Sequence, residues 1–295
     1  MDRALRNKKA ILAFIAPALI VYSIFVLYPI VSTVVYTFFE GMPGVNFKPV
    51  GFNNFRKLTI DPKIKLTLSN NMQYLIMMVV YELVMGFLLA LFLFFGMKKG
   101  SNLMRTLIFI PVVLPSVATG QMWIKIFEIM PQNGLLNSLL DLFGLDFLIQ
   151  PWLGQTDTAI WCAGLAAGWK STGMYVVIFY TGLAGISQDY LEAASIDGAT
   201  FLRKVRSIVF PMLKPIFTIA LVLSLSSALR VYDSIYVLTN GGPGYATYVP
   251  LMYMYNTAFG SMKYGYGSTI GLMMLVISLT VSVIITKAMS KDNTI

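Results

Sequence analysis

The chain has 295 residues, of which 57% are hydrophobic and only 12% are charged, with a net charge of +9. A soluble domain carries about 25% charged residues, so lipid rather than water must be the main solvent of this chain. This hydrophobicity excludes intrinsic disorder. Because Cys162 is the one cysteine and histidine is absent, the composition also excludes a disulfide scaffold, a histidine-based catalytic triad and the usual zinc sites.

Six windows with few or no charges define the predicted elements. A bilayer core of about 30 Å needs about 20 helical residues, and each window is long enough to supply them. We therefore predict an all-α membrane protein, a single domain of residues 1–295 with six transmembrane helices. The predicted spans are residues 10–39, 70–96, 104–126, 158–186, 213–239 and 264–287.

The first window follows a positively charged segment and could be mistaken for a secretory signal. Its 30 uncharged residues are too many for a cleaved segment, whose apolar region has about 7–15 residues. The third window contains Pro111 and Pro115, which we expect to kink its helix without preventing it from spanning.

Lys and Arg between the windows predict the orientation, because cytoplasmic loops carry an excess of these residues. With both termini in the cytoplasm, thirteen cations fall inside and seven outside. The inside set is Arg3, Arg6, Lys8, Lys9, Lys98, Lys99, Arg105, Arg203, Lys204, Arg206, Lys214, Lys287 and Lys291. The outside set is Lys48, Arg56, Lys57, Lys63, Lys65, Lys125 and Lys263. We predict a short surface helix around residues 53–68 for the basic first external loop.

The cytoplasmic segment between the fourth and fifth spans, residues 187–211, predicts a helix, a tight turn and a second helix. Ser187 suits an N-cap, Gly198 suits a left-handed position after the helix, and Thr200 suits the next N-cap. We expect Pro211 to stop the second helix.

The spacing in this segment resembles the signature of binding-protein-dependent ABC importer permeases. That signature is Glu-Ala-Ala, three residues, Gly, nine residues, Ile, one residue and Leu-Pro, and every spacing is present, with Phe210 in place of the usual Leu. In that family the segment is the coupling helix that seats in a cleft of the cytoplasmic ATPase, and we call residues 187–211 the coupling loop. The resemblance assigns ATPase coupling to Glu192, Ala193, Ala194, Asp197, Gly198, Ile208 and Pro211.

Segments outside the coupling loop resemble the carbohydrate-uptake group, similar to the larger permease of maltose and glycerol-phosphate importers. They are residues 50–55, 105–111, 134–137, 233–243 and 264–268. The resemblance implies a second, distinct permease chain, two ATPase subunits and an extracytoplasmic sugar-binding protein in a bacterial cytoplasmic membrane. The sequence has no Gly-x-x-x-x-Gly-Lys-[Ser/Thr] loop, so we expect no cofactor on this chain, with ATP and Mg on the partner ATPase.

Four charged residues, Glu82, Lys170, Arg230 and Asp233, fall inside the predicted spans and more than two residues from either end. Such charges cost about 3 kcal/mol each at the bilayer centre, so each should face the helix bundle or a wet cavity. Arg230 and Asp233 are three residues apart, which allows either a neutralising pair on one helix face or a place on the sugar path. Lys170 either reaches towards the interface or contacts substrate.

Sugars bind to planar hydrogen-bonding groups and stack on aromatic faces, which adds four polar or aromatic candidates to these charges. The predicted substrate path comprises Glu82, Trp169, Lys170, Arg230, Tyr232, Asp233, Tyr236 and Asn240.

The predicted function is that of a non-enzymatic permease subunit of an ATP-driven importer for a di- or oligosaccharide, without a metal site or a role in nucleic-acid binding. The alternative is an ion-coupled secondary transporter or channel, in which Glu82 and Asp233 would serve a proton or sodium path. That alternative requires an ion gradient and no ATPase.

Overall fold

The computed structural model describes residues 8–97, 99–130 and 132–290. Arg3, Arg6, Lys98 and Lys291, which contributed to the predicted orientation, lie outside these residues, as do the side chains of Lys8 and Lys9. The described chain is mostly helical and forms two compact units. The first contains residues 8–64 and 253–275, and the second contains residues 65–252 and 276–290.

Helices make up most of the regular structure. In chain order the elements are α1 (Lys8–Tyr22), α2 (Tyr28–Tyr36), β1 (Phe39–Glu40), β2 (Lys48–Pro49), α3 (Asn53–Ile60), α4 (Pro62–Leu91), α5 (Ser101–Val113), α6 (Ser116–Phe127), α7 (Leu135–Leu142), α8 (Ala159–Ala184), α9 (Gln188–Ile196), α10 (Phe201–Lys204), α11 (Phe210–Met212), α12 (Lys214–Leu229), α13 (Asp233–Leu238), α14 (Pro250–Tyr255) and α15 (Tyr264–Ser290). Five-residue π turns occur at Ser23–Leu27, Phe92–Gly96, Val205–Val209 and Asn256–Gly260, and a 3₁₀ turn at Asp146–Leu148.

Three helical stretches are long and apolar enough to cross a membrane: Ile11–Tyr36, Pro62–Gly96 and Tyr264–Ala288. Two bent helix pairs also pass the same test together, α5 with α6 at 98° and Phe201–Met212 with α12 at 69°. The described residues thus contain three such helices, or up to five if each bent pair counts as one span. The 26-residue α8 is not among them, although at 1.5 Å per residue it is about 39 Å long.

A short antiparallel pairing in the first unit departs from the all-α prediction. Phe39 pairs with Pro49, and Glu40 pairs with Lys48. The buried side chain of Asn54 closes this loop by donating from Nδ2 to the carbonyl oxygens of Thr37 and Phe39, at 2.9 and 2.7 Å.

Most of α8 is buried in the second unit because small residues let its neighbours approach closely. A Cβ on Gly173 would overlap the backbone of Ile108 in α5, and one on Gly164 would lie 2.9 Å from the Cβ of Met77 in α4. Close packing through small residues is typical of helices in membranes, because the hydrophobic effect does not drive helix association in lipid.

Two predicted elements have different boundaries in the structure. The surface helix predicted at residues 53–68 is interrupted at Asp61, because this residue precedes Pro62 and takes an extended conformation, with ψ of 113°. The helix predicted at residues 213–239 ends at Leu229 and resumes as α13 at Asp233.

Candidate functional site

A cavity of about 270 Å³ in the second unit lies where two helix breaks meet. One break separates α5 from α6, and the other separates α12 from α13. The cavity is lined by Tyr74, Met78, Val112, Ser116, Ala167, Lys170, Ser171, Ser227, Arg230, Val231, Tyr232, Asp233 and Ser234. Irregular backbone at membrane depth is tolerated where it is buried in protein or lines a wet cavity.

The first break has a local cause in the sequence. Leu114 precedes Pro115, and the clash between a proline ring and the preceding residue disfavours the helical conformation there. Leu114 is accordingly extended, with ψ of 142°, and Pro115 continues this path before α6 starts at Ser116. The kink that was expected in this window is a 98° bend between α5 and α6.

Lys170 of α8 contacts the α6 side of the first break. Its Nζ donates a 2.8 Å hydrogen bond to the hydroxyl of Ser116, the first residue of α6. Both residues line the cavity, so the ammonium group faces polar space rather than lipid. The structure thus places this predicted path residue in the cavity wall.

Glu82 lies behind the cavity wall and has no exposed surface. Its two carboxylate oxygens accept hydrogen bonds from the hydroxyls of Ser171 in α8 and Ser224 in α12. Ser171 also lines the cavity, so its hydroxyl joins Glu82 to the cavity wall. A buried carboxyl group without such donors would be strongly destabilising, so the two hydroxyls are what allow it in the core.

Arg230 and Asp233 do not form the ion pair that was one of the two alternatives for these residues. The prediction assumed one continuous helix, but α12 ends before Arg230 and α13 begins at Asp233. Arg230 instead donates from Nε to the carbonyl oxygen of Ser226 at 2.9 Å. Within the described chain the one salt bridge joins Lys125 to Glu128. Arg230, Asp233 and the intervening Tyr232 all line the cavity.

The remaining predicted path residues lie outside the cavity wall. Tyr236 stacks on Tyr232, with ring centroids 5.6 Å apart and planes within 11° of parallel. Trp169 makes an edge contact with Trp123 at 5.6 Å. Asn240 follows α13 and has a positive φ of 48°.

Sequence reasoning missed the hydroxyl groups of the cavity, which come from Tyr74, Ser116, Ser171, Ser227 and Ser234. Serine is common in membrane helices and carries no charge, so nothing in the sequence distinguishes these serines from the others. The proline pair at positions 111 and 115 was the available signal, since it marks the break beside Ser116.

The coupling loop contains the predicted helix caps. Ser187 Oγ accepts from the backbone N–H of Asp189 at 3.3 Å, and Thr200 Oγ1 accepts from that of Arg203 at 3.4 Å. Gly198 has a φ of +75°, and the N–H of Ala199 returns to the carbonyl oxygen of Ala194 at 2.9 Å. This is the helix-ending geometry that favours glycine.

The second half of the coupling loop differs from the prediction, because Pro211 does not stop the helix. The π turn Val205–Val209 precedes the proline, and the N–H of Phe210 reaches back five residues to the carbonyl oxygen of Val205. The helical path then continues to Met212, and the 69° bend follows it.

One side of the coupling loop is anchored in the second unit and the other is exposed. Leu191 and Val209 are buried in one apolar cluster with Leu183 of α8. By contrast, Ile196 is 86% exposed and Leu202 is 75% exposed.

The signature residues mostly lie on the exposed side of the coupling loop. Glu192, Ala193, Asp197, Gly198 and Pro211 are exposed, whereas Ala194 and Ile208 are partly buried. Glu192 makes no hydrogen bond or ion pair within the described part of the chain. Its carboxylate is therefore available to another protein.

Comparison with known families assigns the chain to a class. Residues 82–291 match the family described as "Binding-protein-dependent transport system inner membrane component". Since this match covers more than half of the sequence, the chain belongs to that family. It is a multi-pass membrane component of an ABC transporter, a class in which a separate subunit hydrolyses ATP.

Curated relatives cover nearly the whole chain. The arabinooligosaccharides transport system permease protein AraP of Bacillus subtilis is 32% identical over 280 residues, which are 94% of this chain and 88% of that protein. The trehalose/maltose transport system permease protein MalF of Thermococcus litoralis is 30% identical over 283 residues, 96% of this chain and 94% of that protein.

Solved structures show the same fold. A bacterial ABC transporter involved in the import of the acidic polysaccharide alginate matches with a TM-score of 0.85 at 21% identity, over 99% of both chains. The alginate transporter in complex with alginate pentasaccharide-bound periplasmic protein matches with a TM-score of 0.85 at 20% identity, over 99% of this chain and 98% of that chain.

Proposed function

We propose that this chain is the permease subunit of an ATP-driven importer for a di- or oligosaccharide and that it forms part of the translocation path. The proposal rests mainly on the structure of the coupling loop. Leu191 and Val209 anchor this loop in the core, whereas Ile196 and Leu202 are exposed. Exposed apolar side chains that lie close together outside the spans are typical of a protein-docking surface.

The substrate class is supported by two observations. Relatives at 30–32% identity are named as permeases for arabinooligosaccharides and for trehalose and maltose. The cavity offers five hydroxyl groups and the ring of Tyr232, which suit sugar hydroxyls and a sugar face. We propose that Lys170, Arg230, Tyr232 and Asp233 contact the saccharide directly. In this proposal Glu82 holds Ser171 in place, while Tyr236 supports Tyr232.

Six transmembrane spans fit this function. The three long apolar helices and the bent pair of α5 and α6 provide four spans. We also assign a span to α8, the fourth in chain order, because it is about 39 Å long and packs closely against α4 and α5. The remaining span is α12 with α13, the fifth in chain order. The coupling loop then lies between the fourth and fifth spans.

The proposed orientation places both termini and the coupling loop in the cytoplasm, as the distribution of Lys and Arg indicates. The partners are a second, distinct permease chain, two ATPase subunits that bind ATP and Mg, and an extracytoplasmic sugar-binding protein. This chain itself carries no cofactor and performs no covalent chemistry in the proposal.

Coupling follows from the rigidity of the loop. Lys204 Nζ donates to Ser195 Oγ at 2.5 Å, which fixes the second helix of the coupling loop to the first. A movement of the ATPase can therefore be transmitted through both helices to Leu191 and Val209 and on to the spans. The cavity would then open alternately to each side of the membrane.

The test is co-purification of the ATPase with the tagged permease, followed by uptake in proteoliposomes. We expect Ile196→Asp with Leu202→Asp to abolish co-purification, because two charges would enter an apolar contact. The matched control is Leu145→Asp, which alters an exposed leucine outside the coupling loop. Retention of the ATPase by the double variant would contradict the docking assignment.

A further inference from the structure

We infer that the cavity selects a saccharide that carries an anionic group, such as the carboxylate of a uronic acid or a phosphate. This inference rests on the proposed function and specifies its substrate class. Three charged side chains line the cavity, namely Lys170, Arg230 and Asp233. Two of them are cations and one is an anion, so the wall carries one excess positive charge.

The two cations have only neutral hydrogen-bond partners. Lys170 donates to the hydroxyl of Ser116, and Arg230 donates to the carbonyl oxygen of Ser226. A cation within a membrane protein normally lies near a counter-charge, since lipid and apolar side chains cannot replace its hydration. The described residues provide neither of these cations with an ion-pair partner. A bound anionic substrate would supply that charge during transport.

Glu82 does not take this role, because it is separated from the cavity. It has no exposed surface, and its two oxygens accept from Ser171 and Ser224. A side chain in that position can set the orientation of Ser171, and it forms no salt bridge with Lys170 or Arg230. Asp233 balances one of the two cations in the cavity wall, so the counter-charge for the other has to come from outside the described chain.

The geometry of Arg230 suits an oxyanion. Its Nε is occupied by the carbonyl oxygen of Ser226, whereas its two terminal amino groups make no hydrogen bond within the described residues. Guanidinium groups bind carboxylate and phosphate through two parallel hydrogen bonds, which a neutral sugar hydroxyl cannot match. Asp233 would accept hydrogen bonds from neighbouring sugar hydroxyls.

The size of the cavity limits what it can hold. Its volume of about 270 Å³ is slightly below the range of about 300–1,000 Å³ for pockets that enclose a whole ligand. We therefore expect it to hold one charged sugar unit of a longer substrate, with the remaining units outside this cavity.

The experiment uses the complete transporter with its binding protein in proteoliposomes loaded with ATP. Three substrates of equal length are compared: a trigalacturonate, a phosphorylated trisaccharide and a neutral trisaccharide. We expect uptake of at least one anionic substrate at ten or more times the rate of the neutral one. Arg230→Gln and Lys170→Gln should each raise the KM for the anionic substrate about tenfold. The exposed Lys263→Gln is the matched control and should leave the KM unchanged.

Arg230→Lys provides the second variant if Arg230→Gln fails to assemble. It keeps the charge but loses the two parallel hydrogen bonds, so we expect normal assembly and a smaller rise in KM. Faster uptake of the neutral trisaccharide than of both anionic substrates would overturn the inference and leave the proposed function intact. Equal effects of the variants on neutral and anionic uptake would also overturn it. If no saccharide is transported, the proposed function itself fails and the inference falls with it.

Discussion

Tyr253 donates a hydrogen bond of 2.6 Å to Oδ2 of Asp61, although 192 residues separate them in the chain. Tyr266 donates to the same oxygen at 2.6 Å, and the backbone N–H of Lys63 donates to Oδ1 at 2.9 Å. The Nζ atom of Lys57 lies 4.6 Å from the ring centroid of Tyr266. Within the first unit, these contacts fasten the junction between α3 and α4 to α14 and α15.

The Asp61 contacts predict a dependence of stability on pH. Burial raises the pKa of Asp61, but hydrogen bonds from Tyr253, Tyr266 and the Lys63 backbone, with the charge of Lys57, outweigh burial and hold this pKa below its usual value. A lowered pKa in the folded state stabilises the protein above the unfolded pKa of about 3.9. That stability is lost as the pH falls through the pKa of Asp61 in the folded protein. Thermal melts in detergent from pH 7 to pH 3 should show a falling melting temperature at the acidic end.

Variants separate Asp61 from other acidic groups. We expect Asp61→Asn to lower the stability at pH 7 by about 1–3 kcal/mol, since it removes charge-assisted hydrogen bonds. The same variant should flatten the melting temperature between pH 5 and pH 3. Asp146→Asn, which alters an exposed carboxylate in another loop, is the control. An unchanged pH profile in Asp61→Asn would contradict the assignment.

Gly198→Val tests the turn of the coupling loop. A β-branched residue at a φ of +75° costs about 1–2 kcal/mol or more, so we expect loss of ATPase coupling while the spans remain inserted. A Cβ at this position meets no atom of the described residues within 4 Å, so we attribute any effect to the backbone or to the ATPase contact. Gly198→Asn is the matched control, because asparagine adopts this conformation readily. Normal sugar-stimulated ATP hydrolysis in Gly198→Val would refute the role of the turn.

Glu82 should tolerate an amide better than an apolar side chain. Glu82→Gln keeps one acceptor oxygen and the shape of the side chain. Glu82→Leu removes the acceptor of the Ser224 hydroxyl, while Ser171 keeps the carbonyl oxygen of Ala167 at 2.8 Å. We expect the leucine variant to lose about 1–3 kcal/mol more stability than the glutamine variant, as measured by melting in detergent. Equal melting temperatures would show that the serine hydroxyls do not depend on this carboxyl group.

Arg230 and Asp233 provide a test of independence. Because they form no ion pair, we expect the double variant of Arg230→Gln and Asp233→Asn to lose more transport than either single variant. Uptake kinetics of the two single variants and the double variant give this comparison. A double variant that is milder than either single variant would instead indicate a neutralising pair.

The sequence predicted local features well where one residue type determines the backbone. Ser187 and Thr200 cap their helices, and Gly198 takes the left-handed conformation, because these depend on contacts within four residues. Features that depend on neighbouring helices were missed. The sequence has no signal for the π turn Val205–Val209, after which the helical path continues past Pro211. Val209, the last residue of this turn, packs in the apolar core, and that contact depends on the tertiary fold.

The candidate site was predicted in part for the same reason. Lys170, Arg230, Tyr232 and Asp233 stand out as polar or aromatic residues in apolar windows, and all four line the cavity. The serines that were missed line the cavity because of the tertiary fold. Ser116 lines the cavity because Leu114 and Pro115 turn α6 away from α5, and Ser227 lines it because α12 ends two residues later.

In the proposed function, ATP hydrolysis on a separate subunit drives transport through this chain. The most direct measurement is saccharide uptake into proteoliposomes that contain the complete transporter, with ATP and a proton gradient varied independently. We expect uptake that requires ATP, the ATPase subunits and the binding protein, and that persists when an ionophore collapses the gradient. Uptake that continues without the ATPase and stops with the ionophore would contradict this expectation and support ion-coupled transport.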